Sequence, residues 1–294
     1  MFRIEAEIAS QPDTWSIALS RLSELGSELP SAGERVATIG CGTSFYVAEA
    51  FARLRESGAE AGATDAVVAS EFAPTRPYDR VVAISRSGTT TEVLRALETS
   101  SGAALASVVI TAVAGSPVTD AAGASIVLDF ADEESVVQTR FATTALALLR
   151  AHVGEDLTQV LADARVATDR DLPVDPSDFE QFVFLGTGWS IGIADEAALK
   201  MREAGLAWSE SYPAMEYRHG PISLASDRTL VWCFGRVDQE LRSTAAATGA
   251  TVVGDALDPM AELILVQRAA VQLAVARGLD PDHPRHLTRS VVLS

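Results

Sequence analysis

The sequence predicts an α/β protein with two parallel sheets flanked by helices. Three observations lead to that class. Apolar runs of strand length alternate with helical patterns in the first half: RVATIG then SFYVAEAFARLRES, DRVVAIS then TEVLRALETS, and LASVVITAV then a turn and ASIVLDF. Strands alternating with helices at this spacing pair in parallel, because each helix returns the chain to the starting end of the next strand. The same pattern then restarts after a polar segment with two prolines, ATDRDLPVDPSDFE, which reads as a linker. The restart also repeats landmarks. VATIG with its turn GCGTS resembles FVFLG with GTGWS, placing Gly40 and Gly186 at an offset of 186 − 40 = 146. ASEF resembles AMEY, with Glu71 and Glu216 at 216 − 71 = 145. Two landmarks at nearly one offset indicate a duplicated α/β unit.

In chain order, a short helical lead and a first domain occupy residues 1–166, ending in a helical stretch from Phe141 to about Val166. Residues 167–180 form the linker, and residues 181–294 form a second domain with a C-terminal tail. Within the second domain, Ala194 to Ala204 reads as a helix, since Ala, Leu, Met, Glu, Lys and Arg dominate it.

With 294 residues, 48% of them hydrophobic, the chain can bury a large core as one domain or two. The net charge of −17, from 40 acidic against 23 basic residues, repels nucleic acid and anionic membrane surfaces. An anionic ligand must therefore be held by local groups. Cys41 and Cys233 have neither CxxC nor Cys/His spacing, so no zinc site or disulfide framework is expected. MFRIEAEIASQPDTW carries charges where a signal peptide needs an apolar run, and no apolar stretch is expected to reach membrane-spanning length. The expectation is a cytoplasmic protein with no membrane or nucleic-acid partner.

Two turns carry the chemistry. Cys41 to Ser44 (CGTS) follows the strand VATIG and opens a helix, and Ser85 to Thr90 (SRSGTT) follows VVAI and opens another. Each sets hydroxyls and glycine at a helix N-terminus, where unpaired N–H groups and the helix dipole favour an oxyanion. Gly42 and Gly88 let the backbone approach it. Capping needs one hydroxyl, whereas Ser85, Ser87, Thr89 and Thr90 supply four. Neither turn has the Gly-Lys-Ser/Thr of a nucleotide-binding loop or the full GxGxxG spacing. A phosphate is the expected ligand.

CGTS with SRSGTT, together with EAALKMREAGLAWSESYPAMEYRHGP and the tail DPDHPRHLTRSV, resembles the double sugar-isomerase (SIS) domain family. The likeness is to the isomerase half of glucosamine-6-phosphate synthase and to the fructosamine-6-phosphate deglycases and aminosugar-phosphate deaminases. The resemblance implies two tandem SIS domains, each a flavodoxin-like three-layer sandwich, acting on a sugar-6-phosphate or aminosugar phosphate without metal or organic cofactor. It implies phosphate-binding hydroxyls at Ser44, Ser85, Ser87 and Thr90, with Thr43 and Arg86 in the same turns. Gln138 falls where the family often has a serine touching the sugar. Glu203 falls on the proton-shuttling carboxylate, Lys200 on a lysine beside it, and His219 on the ring-opening histidine. A homodimer is implied, with the His219 loop reaching the neighbouring subunit.

Glu196, Lys200 and Glu203 are spaced by four and three, so they share a helix face. By spacing alone that face is a solvated one; the resemblance assigns Glu203 and Lys200 to catalysis and leaves Glu196 open. Imidazole suits proton transfer between O1 and O5 near neutral pH, and a carboxylate suits transfer between C1 and C2. One departure stands out. Arg289 occupies the place of the synthase lysine that forms an imine, and a guanidinium binds oxygen but is a poor nucleophile. No glutaminase domain is expected in this stretch either. Three readings follow: a deglycase or deaminase, a simple aldose–ketose isomerase, or a phosphosugar sensor without catalysis.

Overall fold

A computed structural model describes residues 2–58, 62–254 and 256–293. The lead is helical as expected, in three short pieces: α1 (Arg3–Ala9), α2 (Gln11–Ser20) and α3 (Leu22–Leu25). The alternating segment then gives β1 (Val36–Gly40), α4 (Thr43–Glu56), β2 (Thr64–Val68), β3 (Arg80–Ile84), α5 (Thr91–Gly102), β4 (Ala106–Thr111), α6 (Pro117–Ala121) and β5 (Ala124–Val127). The five strands form one parallel sheet in the order β2-β1-β3-β4-β5, with Val82 of β3 between Thr38 of β1 and Val108 of β4. Val81, Val82, Ala83 and Ile84 are all fully buried. A continuous apolar run is what a strand covered on both faces requires.

The helical stretch expected from Phe141 to Val166 is two helices, α7 (Arg140–His152) and α8 (Thr158–Asp169). Gly154, at φ +92°, breaks the stretch, a backbone angle that residues with a Cβ rarely adopt.

The second set is β6 (Gln181–Gly186), α9 (Ser190–Glu203), β7 (Trp208–Pro213), β8 (Thr229–Phe234), α10 (Gln239–Ala247), β9 (Thr251–Gly254) and α11 (Pro259–Ala276). Its parallel sheet runs β7-β6-β8-β9, the first four places of the other sheet's order. Duplication also shows at single residues. A Cβ on Gly40 would meet Ser44 backbone at 2.6 Å, and one on Gly186 would meet Ser190 O at 2.4 Å. Gly42 and Gly188, again 146 positions apart, have φ of 54° and 55°. After β2 and β7 the chain makes 3-10 turns at Ala69–Glu71 and Ala214–His219, each holding the glutamate of the repeat.

The compact units do not divide at 167–180. The unit with the first sheet contains Asp13–Glu134, Gln138–Leu157 and Thr288–Ser294, and the other contains Met1–Pro12, Ser135–Val137 and Thr158–Leu287. Side chains explain the placement. Arg268 of α11 donates to the carbonyls of Ala167 and Arg170, holding α8 and the proline segment to the second-sheet unit. Asp282 accepts from the backbone N–H of Arg3 and Ile4, capping α1 there. Helix α11 also corrects an expectation. It is apolar and long enough, at 18 residues, to cross a membrane, and 72% of it is buried inside the fold. It packs against α1, α8 and α9.

Candidate active site

The anion-binding candidates all lie in the first-sheet unit. The Cys41–Ser44 turn leaves β1 and the Ser85–Thr90 turn leaves β3, strands adjacent in the sheet. Connections from β1 and β3 diverge to opposite sides, making their carboxyl ends the switch point where open α/β sheets take ligands. Thr43, Ser44, Ser85, Arg86 and Ser87 are buried, and Thr90 is half-buried. Helix capping does not account for the hydroxyls. Thr90 stands at the N-cap of α5 without a side-chain capping bond, the N-cap of α4 is Gly42, and the buried Ser85 hydroxyl has no hydrogen-bond partner among the described residues.

The β3 turn is braced from behind. Ser85 N donates to Ile110 O at 3.0 Å, Thr111 Oγ1 and Ala112 N donate to Arg86 O at 3.2 and 3.1 Å, and Val118 N donates to Gly88 O at 3.1 Å. Gly88 has φ +69°, and a Cβ there would sit 2.1 Å from Ser116 Oγ. Gly88→Ala is expected to lower stability by about 2 kcal/mol or more, from left-handed strain and overpacking together. Thermal unfolding checks this, and an unchanged melting temperature would contradict the described turn.

Arg86 serves the turn differently from the other residues. Its guanidinium, 1% exposed, faces the Glu133 carboxylate at 3.7 Å and donates to Arg289 O at 2.9 Å. Sequence reasoning missed Glu133, which looks like part of a solvated acidic run. Its buried carboxylate accepts from Thr139 N, Thr139 Oγ1 and Arg140 N, filling the N-terminus of α7. Gln138 is half-buried just before that helix. The Arg289 guanidinium donates to Glu133 O and pairs with the Asp132 carboxylate. Cys41, in the other turn, has its thiol pushed up to about 11 by burial and by the charge of Glu92.

The acid–base candidates lie in the second-sheet unit. Glu196 and Lys200 do not form a solvated face: they are 2% and 1% exposed. Lys200 Nζ stands 3.3 Å from Glu196 Oε1 and 2.5 Å from Glu203 Oε2, and only the Glu203 side chain, 19% exposed, reaches solvent. Burial pushes the ammonium down, but the two carboxylates outweigh it and hold Lys200 above the ordinary lysine range. Lys200 is also the only lysine in the chain, among 23 Lys and Arg, a signal readable from composition alone.

His219 ends the 3-10 turn after β7, exposed, and Gly220 follows at φ +133°. Ser190, the counterpart of Ser44, has its hydroxyl engaged by Thr187 N, Thr187 O and Phe234 O. The second copy has therefore turned its serine to structural use. Among the described residues no group of three or more His, Cys, Asp or Glu side chains could hold a metal ion. A cavity of about 500 Å³ beside α11, lined by Ile8, Leu172, Arg268 and Val271, contains none of the candidate residues.

The chain is similar to several known proteins. Residues 28–153 match the SIS domain. The chain is 27% identical to the isomerizing glutamine–fructose-6-phosphate aminotransferase of Methanothermobacter thermautotrophicus, across 95% of this chain and 54% of that protein. It thus spans about half the length of the curated relatives it matches. A glucosamine-6-phosphate deaminase structure from Thermotoga maritima superposes with a TM-score of 0.82 at 25% identity, covering 99% of this chain and 100% of that one. A tagatose-6-phosphate ketose/aldose isomerase from Escherichia coli, at 20% identity, shares the fold with a TM-score of 0.80 over 96% of each chain. Residues 28–153 are thus similar to the SIS domain, and the chain as a whole has the two-sheet α/β fold of these sugar-phosphate enzyme structures.

Proposed function

We propose that the chain is a cytoplasmic enzyme acting on a 6-phosphorylated aminosugar or ketosamine, of deaminase or deglycase type, through proton transfer between C1 and C2. The observation that carries the reading is the buried Glu196–Lys200–Glu203 row, in which Glu203 alone reaches solvent. Ser44, Ser85, Ser87 and Thr90 hold the phosphate, and the Gln138 side chain contacts the sugar. His219 moves the proton between O5 and O1 to open the ring. On an open 2-amino aldose, Glu203 takes the C2 proton and returns it to C1. The resulting ketimine adds water and releases ammonia, leaving the ketose phosphate. A ketosamine runs the same transfer in the opposite sense and releases its amine.

Arg289 supports amine release over amide transfer, because its guanidinium offers no nucleophilic nitrogen and is paired with Asp132. A simple aldose–ketose isomerase would use the same carboxylate, and the fold shared with the tagatose-6-phosphate isomerase keeps that second reading in view. Incubation with a panel of aldose, ketose, aminosugar and fructosamine phosphates, following ammonia, free amine and sugar products, separates the readings. Ketose–aldose exchange without amine release would replace the first by the second. Binding without any turnover would leave a sensor.

The phosphate assignment has its own test. Ser87→Ala is expected to weaken inorganic phosphate about tenfold or more, since a hydrogen bond to a charged group is lost, about 1.5–3 kcal/mol. If Ser87 only supported the turn, stability would fall by about 1 kcal/mol and affinity would hold. Assembly as a homodimer, with His219 serving the neighbouring subunit, completes the proposal. Met215 and Leu224 flank His219 at 50% and 62% exposure, an apolar surface that a second subunit would cover. Light scattering on an active sample is expected to give twice the chain mass, and a fully active monomer would refute this part.

A further inference from the structure

The tail Thr288–Ser294 belongs to the unit of the first sheet. Its Arg289, Ser290, Val291 and Leu293 contact the Ser85–Thr90 turn and the first residue of α5. Arg86 Nη2 donates to Arg289 O at 2.9 Å, Thr91 N donates to Val291 O at 3.2 Å, and Leu293 N donates to Thr91 Oγ1 at 2.9 Å. The Arg289 guanidinium clasps Glu133 O and the Asp132 carboxylate. Ser290 is thereby set among the hydroxyls of the turn. The Thr89 hydroxyl bridges Ser290 Oγ at 2.8 Å and Ser87 Oγ at 3.2 Å, and Thr90 Oγ1 is 3.5 Å from Ser290 Oγ.

We infer that Ser290 is a positioning residue for the phosphate, held in place by the Arg289–Asp132 pair. The inference rests on the phosphate reading of the Ser85–Thr90 turn. A phosphate accepts hydrogen bonds from the protein, so each hydroxyl facing it must donate, and hydroxyl protons rotate to suit their partners. The Thr89 hydroxyl stands within donating distance of both Ser290 and Ser87. With an anion at Ser87, the row runs one way: Ser290 donates to Thr89, Thr89 donates to Ser87, and Ser87 donates to the anion. Ser290 starts the row and leaves the Ser87 proton no competing acceptor within it. Arg289 then acts through the tail, its side chain committed to the 132–133 loop and its carbonyl to Arg86, in place of the direct oxygen contact that its position predicts.

The test is calorimetric binding of inorganic phosphate and of fructose 6-phosphate to the full chain and its variants. Ser290→Ala is expected to weaken both probes about three- to tenfold, the share of one neutral hydrogen bond, at an unchanged melting temperature. Ser290→Thr keeps the hydroxyl and restores affinity. Asp132→Asn weakens both probes by a similar factor, and adding it to Ser290→Ala costs less than the two losses combined, because one latch serves one hydroxyl. If Ser290→Ala binds like the parent while Ser87→Ala does not, this inference falls and the phosphate site stands. If both variants bind like the parent, the site assignment falls with it. A loss in Ser290→Ala that tracks a lower melting temperature and is not rescued by threonine would mark Ser290 as structural only and overturn the inference.

Discussion

Glu203→Gln is expected to lower turnover of the true substrate about 10²–10⁴-fold, the usual cost of removing a general base, while leaving inorganic phosphate affinity unchanged. The amide nearly matches the carboxylate in shape but cannot take a C–H proton. Its neighbours make the test clean. Glu203 is the solvent-facing end of a row whose other members, Lys200 and Glu196, are sealed from water. The hydroxyls proposed to hold phosphate are carried by the other sheet's unit. Steady-state turnover beside a phosphate titration checks both halves. Near-normal turnover would end the acid–base assignment, and a parallel loss of phosphate affinity would show that the variant had disturbed more than a proton.

Lys200→Met is expected to cost about 3–5 kcal/mol of stability, the penalty for leaving buried charge without its partner. Methionine fills much of the same volume, so the loss is electrostatic. In the parent, the two carboxylates hold the folded Lys200 pKa above the ordinary lysine value of 10.5. Its contribution is therefore complete below 10.5 and disappears only as pH rises through the raised folded value. The variant lacks that titration, so its deficit holds through neutral pH and shrinks only as pH rises through the raised folded value. Denaturant unfolding from neutral to strongly alkaline pH measures this. A deficit independent of pH would mean that packing, and not charge, sets the cost.

Much of the fold was legible because parallel sheets covered on both faces demand uninterrupted apolar strands. Val81 to Ile84 and Phe182 to Leu185 satisfy that requirement in plain sequence. The duplication was legible for a steric reason: Gly40 and Gly186 stand where a helix start presses on a strand end, and no larger residue fits. The unit boundary was not legible, since it depends on Arg268 and Asp282 reaching segments far away in the chain. Among site residues, the hydroxyl turn announced itself by carrying more hydroxyls than a cap uses. Glu133 and Asp132 did not, because an acidic run looks alike whether it meets water or, as here, the N-terminus of α7 and Arg289. Spacing put Glu196 and Lys200 on one face, but only the fold could show that face to be buried.

The solitary lysine makes the Glu196–Lys200–Glu203 row separately observable. Lysine enriched in nitrogen-15 contributes one side-chain ammonium resonance, and in this chain that resonance belongs to Lys200. Burial between two carboxylates favours its detection, since slow exchange with water keeps ammonium protons visible. Any compound that changes the charge or position of Glu203, 2.5 Å away, must shift that single line. Candidate sugar phosphates can then be ranked by whether they reach the carboxylate at all, before a product is known and with no assignment of the remaining spectrum.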